Sequence, residues 1–248
     1  MTRLTVYTCV FGDYQGLLEP KHPWPDCEFI CFTDRDDLVS DIWSVKRLDL
    51  NHLNIIAASR MPKILPHRFL SDSDASLYID ANIRINKNPA EHLLPLLKNT
   101  YFWAPRHFAR DCIFEEAKEC MVLDRASALR VVPEMSRYRA LGMPAHAGMT
   151  ENNILLRAHK HAHVIKTMEA WWSLYEQGCG RDQLSLPVAL MQSGGEVSHL
   201  DAGSRAGGSD AILTHQHHER DISMSLLDRI TQKLLISWRR LKYRTLVF

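Results

Sequence analysis

A chain of 248 residues with 30 Lys and Arg against 29 Asp and Glu has a formal net charge of +1, with the charges interspersed rather than blocked. That balance gives nucleic acid nothing to be drawn by, and we expect no nucleic-acid partner. A 46% hydrophobic content at this length can bury one sizeable core, so we expect a main α/β domain over 1–221 and a basic helical tail over 222–248.

No apolar run approaches the length needed to cross a bilayer, and Met1-Thr2-Arg3 leads straight into a strand-like segment. The expectation is a cytoplasmic protein. Cys9, Cys27, Cys31, Cys112, Cys120 and Cys179 include no pair with the two-residue spacing of a zinc knuckle or thioredoxin-like site, so they read as reduced packing thiols.

Leu4 to Val10 and Cys27 to Phe32 are apolar, β-branched runs broken by Phe11-Gly12-Asp13-Tyr14 and by Thr33-Asp34. They read as the first two strands of a parallel sheet. Ligands of open α/β sheets bind beyond the carboxyl ends of strands, which places Thr8, Gly12, Tyr14 and Asp34 at a site mouth suited to a nucleotide base and ribose; a plain turn at Gly12-Asp13 is the alternative.

Asn54 to Arg60 reads as a short helix interrupted by Pro62 and Pro66. The segment Arg60-Met61-Pro62-Lys63-Ile64-Leu65-Pro66-His67-Arg68 crowds cations together, either to neutralise a pyrophosphate or as a solvated basic turn. Leu77-Tyr78-Ile79-Asp80-Ala81-Asn82-Ile83 then runs an apolar strand into an acid-x-amide pair. An Asp at the end of a buried strand needs a partner. Asp80 and Asn82 can offer oxygens to Mg²⁺ or Mn²⁺, or can simply form an Asx turn.

Helical and strand-like stretches follow to Leu97 and over Tyr101 to Trp103, and the mixture around Arg110 with Glu115 and Glu116 suits a binding wall. One helix is expected from Ile113 through Leu129. Glu151 and Asn152 precede the apolar run Ile154 to Arg157 and would line a pocket beside it. The alternating His159, His161 and His163 read as surface histidines in preference to a metal set.

A Trp-rich helix over Met168 to Tyr175 ends at Gly178, and Asp182-Gln183 can either open the next helix or grip sugar hydroxyls at its start. Ser193-Gly194-Gly195 and Gly203 to Gly208 read as mobile loops and a candidate lid. From Leu226 the tail is a basic amphipathic helix, which suits either docking on the body or contact with the inner face of an anionic plasma membrane.

The motifs Tyr7-Thr8 with Phe11-Gly12-Asp13-Tyr14, Phe29 to Asp34, Arg60 with Lys63-Ile64-Leu65-Pro66-His67, Tyr78-Ile79-Asp80-Ala81-Asn82-Ile83, Arg110-Asp111-Cys112-Ile113 and Arg181-Asp182-Gln183 occur in this order. Together they resemble the TOD/MUCI-type glycosyltransferase-like family, itself similar to GT-A, family-8-like glycosyltransferases. The resemblance covers most of residues 4 to 190. It implies a GT-A-like, Rossmann-type, mostly parallel central sheet flanked by helices, with the amphipathic helix appended at the C-terminus.

The same resemblance implies a nucleotide-sugar donor, expected to be a UDP-sugar, and a glycan or lipid-linked glycan acceptor in bacterial surface polysaccharide synthesis. Asp80 and Asn82 would take the D-x-D position for a divalent cation (Mn²⁺ or Mg²⁺) and diphosphate, with Thr8, Gly12, Tyr14, Asp34, Arg60 and Lys63 on the donor. His199 and His215 both qualify as a third metal ligand, and His215 is carried forward. Asp182 and Gln183 would be catalytic, with Arg110, Glu115, Glu151 and Asn152 on the acceptor or sugar.

Asn82 departs from the pattern. A neutral amide oxygen is a weaker ligand than a carboxylate, so the cation is expected to be weakly held or dispensable. Retention of configuration follows only from the family-8 likeness, and an inverting enzyme could use Glu151 or Asp201 as base. Two competing readings are a sugar nucleotidyltransferase, which lacks support from a Gly-rich phosphate loop, and a non-catalytic glycan-binding module.

Overall fold

The computed structural model describes residues 3–13, 16–98, 100–200, 211–216 and 226–248. Its strands are β1 (Leu4–Val10), β2 (Cys27–Thr33), β3 (Ser44–Arg47), β4 (Ala75–Ile79), β5 (Ile83–Ile85), β6 (Phe102–Pro105), β7 (Ile154–Arg157), β8 (Ser198–Leu200) and β9 (Leu213–His215). The helices are α1 (Ile55–Ile64), α2 (Pro89–Leu93), α3 (Ile113–Val122), α4 (Ala128–Ala140), α5 (Ala162–Gln177), α6 (Asp182–Ser193) and α7 (Leu226–Tyr243).

Seven strands form one sheet in the order β3-β2-β1-β4-β7-β6-β8. Only β7 runs against its neighbours, pairing antiparallel with both β4 and β6. A separate two-stranded sheet joins β5 to β9. The result is the mostly parallel α/β sheet that the first two apolar runs predict.

Near-continuous apolar strands arise because both faces of the sheet are covered. Tyr7, Phe32, Tyr78 and Leu155 point into the cluster that includes residues of α3, α5 and α6. Their neighbours Val6, Cys31, Leu77 and Leu156 point into the opposite cluster with Trp43, Ala90 and Leu93. The alternation is that of any strand, but neither side is left to water.

Three local expectations are corrected. First, α1 continues through Pro62 to Ile64. Asn54 caps its start by accepting from Ala57 N–H (3.0 Å), and burial of Ala57, Ala58, Lys63 and Ile64 holds the helix despite the lost donor. At its end Pro66 has no N–H to give the Pro62 carbonyl, and the Tyr7 hydroxyl, 3.3 Å away, donates there instead.

Second, the expected helix over Ile113 to Leu129 is two helices broken at Leu123 to Ser127. Asp124 turns into the left-handed region (φ 58°), and the Arg125 N–H donates back to Cys120 O (2.7 Å), closing α3. Third, His159 is fully buried, with Nε2 3.2 Å from Leu70 O. Apolar packing outweighs its polarity because one ring nitrogen has a backbone partner. Ser193 and Gly194 close α6, Gly194 serving as its left-handed cap, while the expected lid at Gly203 to Gly208 lies outside the described residues.

Candidate functional site at the end of β4

Asp80 follows directly on β4, where the parallel strands end. Its N–H donates to Asn153 O and its carbonyl accepts from Ile83 N–H, both at 2.9 Å, so the backbone turns tightly around it. Tyr78, two residues earlier and therefore on the same sheet face, donates its hydroxyl to Asp80 Oδ1 (2.8 Å).

The C-terminal turn of α1 brings cations to this carboxylate. Lys63 Nζ stands 3.6 Å from Asp80 Oδ1 and 2.7 Å from Asp182 Oδ2. Arg60 Nε lies 3.9 Å from the same Asp182 oxygen. Asp182 is the first residue of α6, and the Trp171 indole N–H fixes its carbonyl (3.0 Å). A carboxylate at a helix N-terminus also answers the helix dipole.

The charges in this cluster are mutually stabilised. Burial pushes the Asp182 carboxyl up, yet Lys63, Arg60 and Arg181 together outweigh it and hold the group well below the usual carboxylate range. Burial likewise acts to lower Arg60, and Asp182, Tyr78 and Asp80 reverse it. Desolvation foremost, and the adjacent Asp80 next, raise the Tyr78 phenol, which therefore remains a donor.

Lys63 is fixed from behind. Arg157, with no exposed surface, donates from Nη2 to Lys63 O (2.8 Å) and to the Tyr7 hydroxyl (2.5 Å). Sequence reasoning missed Tyr78, Tyr7, Trp171 and Arg157 as supports. The period-two relation of Tyr78 to Asp80, and an Arg closing the otherwise apolar Ile154-Leu155-Leu156-Arg157, were the available signals.

The two-stranded sheet completes the mouth. Pairing of Ile83 with His215 across β5 and β9 carries Asn82 to the His215 ring, with Nδ2 3.0 Å from Nε2. The same Nδ2 also donates to Gln216 O (3.4 Å). One carboxylate, one amide oxygen and one imidazole nitrogen are donor types that suit Mn²⁺ or Mg²⁺, so by donor chemistry Asp80, Asn82 and His215 are the residues that would hold the expected cation. His199 lies on β8, at the far edge of the large sheet from β3.

Of the residues expected on the donor, Gly12 and Asp34 meet across the ends of β1 and β2, the Gly12 N–H donating to Asp34 Oδ1 (2.9 Å). Thr8 is buried in β1, and its hydroxyl has no hydrogen-bond partner among the described residues. Tyr14 and Asp201 lie outside the described residues. Gln183, next to Asp182, accepts from Arg181 Nη2 (3.3 Å).

Of the residues expected on acceptor or sugar, Glu151 and Asn152 are buried immediately before Asn153, which holds Asp80. Asn152 Oδ1 accepts from the Thr150 hydroxyl (2.7 Å), and its Nδ2 has no hydrogen-bond partner among the described residues. Arg110 is instead turned to buried Glu116 (Nε to Oε2, 2.5 Å). Glu115 joins Asp111 and His146 in an exposed group whose ligand atoms lie within 4.8 Å of one another and could hold a metal. His146 Nδ1 is 2.7 Å from Asp111 Oδ1, so the group also stands as an ion pair.

The sequence matches the family described as TOD1/MUCI70, glycosyltransferase-like domain, over residues 31–198, more than half of the chain. Among solved structures, the WbbM bifunctional glycosyltransferase in its apo form aligns with a TM-score of 0.51 at 11% identity, over 96% of this chain and 45% of that one. The galactosyltransferase LgtC, solved with donor and acceptor sugar analogues, aligns with a TM-score of 0.47 at 13% identity over 94% and 95%. A comparison with curated proteins finds no match. At such identities the structural likeness is one of fold, the GT-A-like α/β sheet flanked by helices. The chain belongs to the TOD1/MUCI70 glycosyltransferase-like family.

Proposed function

We propose that this chain is a glycosyltransferase that moves a sugar from a nucleotide-sugar donor, with UDP-sugars the first class to test, to a hydroxyl of a glycan acceptor. The observation that carries this reading is the convergence of Asp80, Lys63, Arg60 and Asp182 at the C-terminal end of β4, beside the Asn82–His215 pair. It joins an oxygen-rich cation position to fixed positive charge, on a family whose description is glycosyltransferase-like.

In the reaction the bond from the anomeric carbon to the diphosphate oxygen breaks, and a bond from that carbon to the acceptor oxygen forms. The acceptor hydroxyl passes its proton to the departing diphosphate oxygen, and the nucleoside diphosphate leaves. Asp80, Asn82 and His215 would hold a divalent cation, which when bound stabilises the charge growing on the departing diphosphate. Arg60 and Lys63 add fixed positive charge to the same face of the site.

Asp182 keeps the Lys63 ammonium in place through their 2.7 Å contact and, staying ionised, accepts from donor hydroxyls. Gln183, one residue on, faces the reacting carbon. Gly12 and Asp34 border the nucleotide, and Glu151 and Asn152 line the acceptor side.

The test is a panel of nucleotide sugars with and without Mn²⁺, following nucleoside diphosphate release and equilibrium donor binding. Release in the presence of an acceptor supports transfer. Consumption of sugar 1-phosphate with a nucleoside triphosphate would replace this reading with nucleotidyl transfer. Glycan binding without donor binding would replace it with a binding module.

A further inference from the structure

Helix α7 is attached to the body along one side. Arg239 Nη2 meets Asp124 Oδ2 at 2.8 Å and Arg240 Nη2 meets Glu119 Oε1 at 3.3 Å, both near the end of α3. Beyond the helix, Leu246 and Phe248 pack with Tyr243 against the main core, the Phe248 ring lying 6.2 Å from that of Phe114.

The outward side is apolar. Ile230, Leu234, Trp238 and Leu241 are 47%, 67%, 58% and 70% exposed. At 3.6 residues per turn these side chains fall within a sector of about 80°. Arg229, Lys233 and Arg244 border that sector on one side and Lys242 on the other, and Asp228 is the only acid between Leu226 and Tyr243.

A cleft of about 550 Å³ opens beside Trp238 and Lys242, lined also by Arg125 and by Leu129, itself 88% exposed at the start of α4. The apolar and basic character therefore extends from α7 onto the body. No helix among the described residues is long and apolar enough to cross a membrane.

We propose that this face seats the protein on the surface of an anionic phospholipid bilayer, with α7 lying in the interface plane. Ile230, Leu234, Trp238 and Leu241 enter the boundary between headgroups and acyl chains, where an indole ring is well placed. The flanking Arg and Lys side chains reach the lipid phosphates along extended apolar stems. Charge complementarity selects this occupant. A second copy would bring two basic rows together without acids to match them, whereas an anionic surface neutralises both borders of the stripe. This placement is independent of the reaction proposed above.

The full chain should be floated with vesicles of phosphatidylcholine alone and of phosphatidylcholine with phosphatidylglycerol. Binding should appear with the anionic vesicles and weaken as salt is raised. Neutralising Arg229, Lys233 and Arg244 to Gln should reduce partitioning roughly fivefold per cation. Leu234→Glu with Leu241→Glu should reduce it at least tenfold while leaving the circular dichroism spectrum unchanged. Equal binding to neutral vesicles, no binding to anionic ones, or full binding by both variants would overturn the proposal. So would a wild-type dimer in sedimentation velocity that the Leu234→Glu, Leu241→Glu variant dissolves, because a second copy would then own the face.

Discussion

Lys63 Nζ stands between two carboxylates, 2.7 Å from Asp182 and 3.6 Å from Asp80, so one buried ammonium joins the end of β4 to the start of α6. Removing either end leaves charge in a dry place, which costs more than the intact pair contributes. Lys63→Met should therefore destabilise the protein by about 3 kcal/mol, read as a lower urea midpoint with an unchanged slope. Asp182→Asn, which keeps the shape but takes the carboxylate away from Lys63 and Arg60, should fall in the same direction. A midpoint unaltered in both variants would show that the pair is not coupled to folding.

Tyr78 orients Asp80 through a 2.8 Å hydrogen bond, and partners of metal-holding carboxylates typically tune affinity. Tyr78→Phe should raise the Mn²⁺ concentration needed for half-maximal effect by about 10- to 100-fold. Asn82→Asp should lower it, since a carboxylate replaces an amide oxygen. Titrating free Mn²⁺ by its electron paramagnetic resonance signal checks both directions without any donor present.

Gly12 sits at φ 60°, and a Cβ added there would come 2.5 Å from Ile55 Cδ1. Gly12→Ala puts a side chain into the left-handed region and makes the exposed Ile55 side chain swing aside, so it should cost about 1–3 kcal/mol. It should also weaken nucleotide binding, because the Gly12 N–H that positions Asp34 moves with the turn. Thermal unfolding and nucleoside diphosphate titration read the two effects separately.

The sheet was legible because both of its faces are buried, leaving runs such as Leu4 to Val10 and Leu77 to Ile79 too apolar for anything else. Asp80, Lys63, Arg60 and Asp182 were each visible as charged residues at element ends. Only the family resemblance placed them at one site; spacing alone could not, because their contacts depend on α1 running through Pro62. Nor could spacing reveal that Arg157, 94 positions from Lys63, would hold its carbonyl. Glu115 and Arg110 show the converse: the sequence grouped them, and local partners, His146 with Asp111 and Glu116, now occupy them.

His159 shows how burial writes itself into pH dependence. Desolvation first, with Arg157 and Lys160 adding to it, lowers its pKa from 6.5 to about 4. The unfolded chain thus binds this proton more readily, and the stability it confers is fully present above about 6.5 and lost as pH falls toward about 4. His159→Gln should flatten the loss of stability across that window in urea titrations. A wild-type profile as flat as that of the variant would contradict the assignment.

The central claim is that the Asp80–Lys63–Asp182 cluster serves glycosyl transfer. The most direct measurement is the rate of nucleoside diphosphate release from the preferred nucleotide sugar by wild type, Asp80→Ala, Lys63→Met and Asp182→Asn, each confirmed folded. The account predicts turnover by the wild type and losses of roughly 10²- to 10³-fold in each variant, the scale of removing one charge-stabilising group. Variants that release nucleoside diphosphate as fast as the wild type would contradict it.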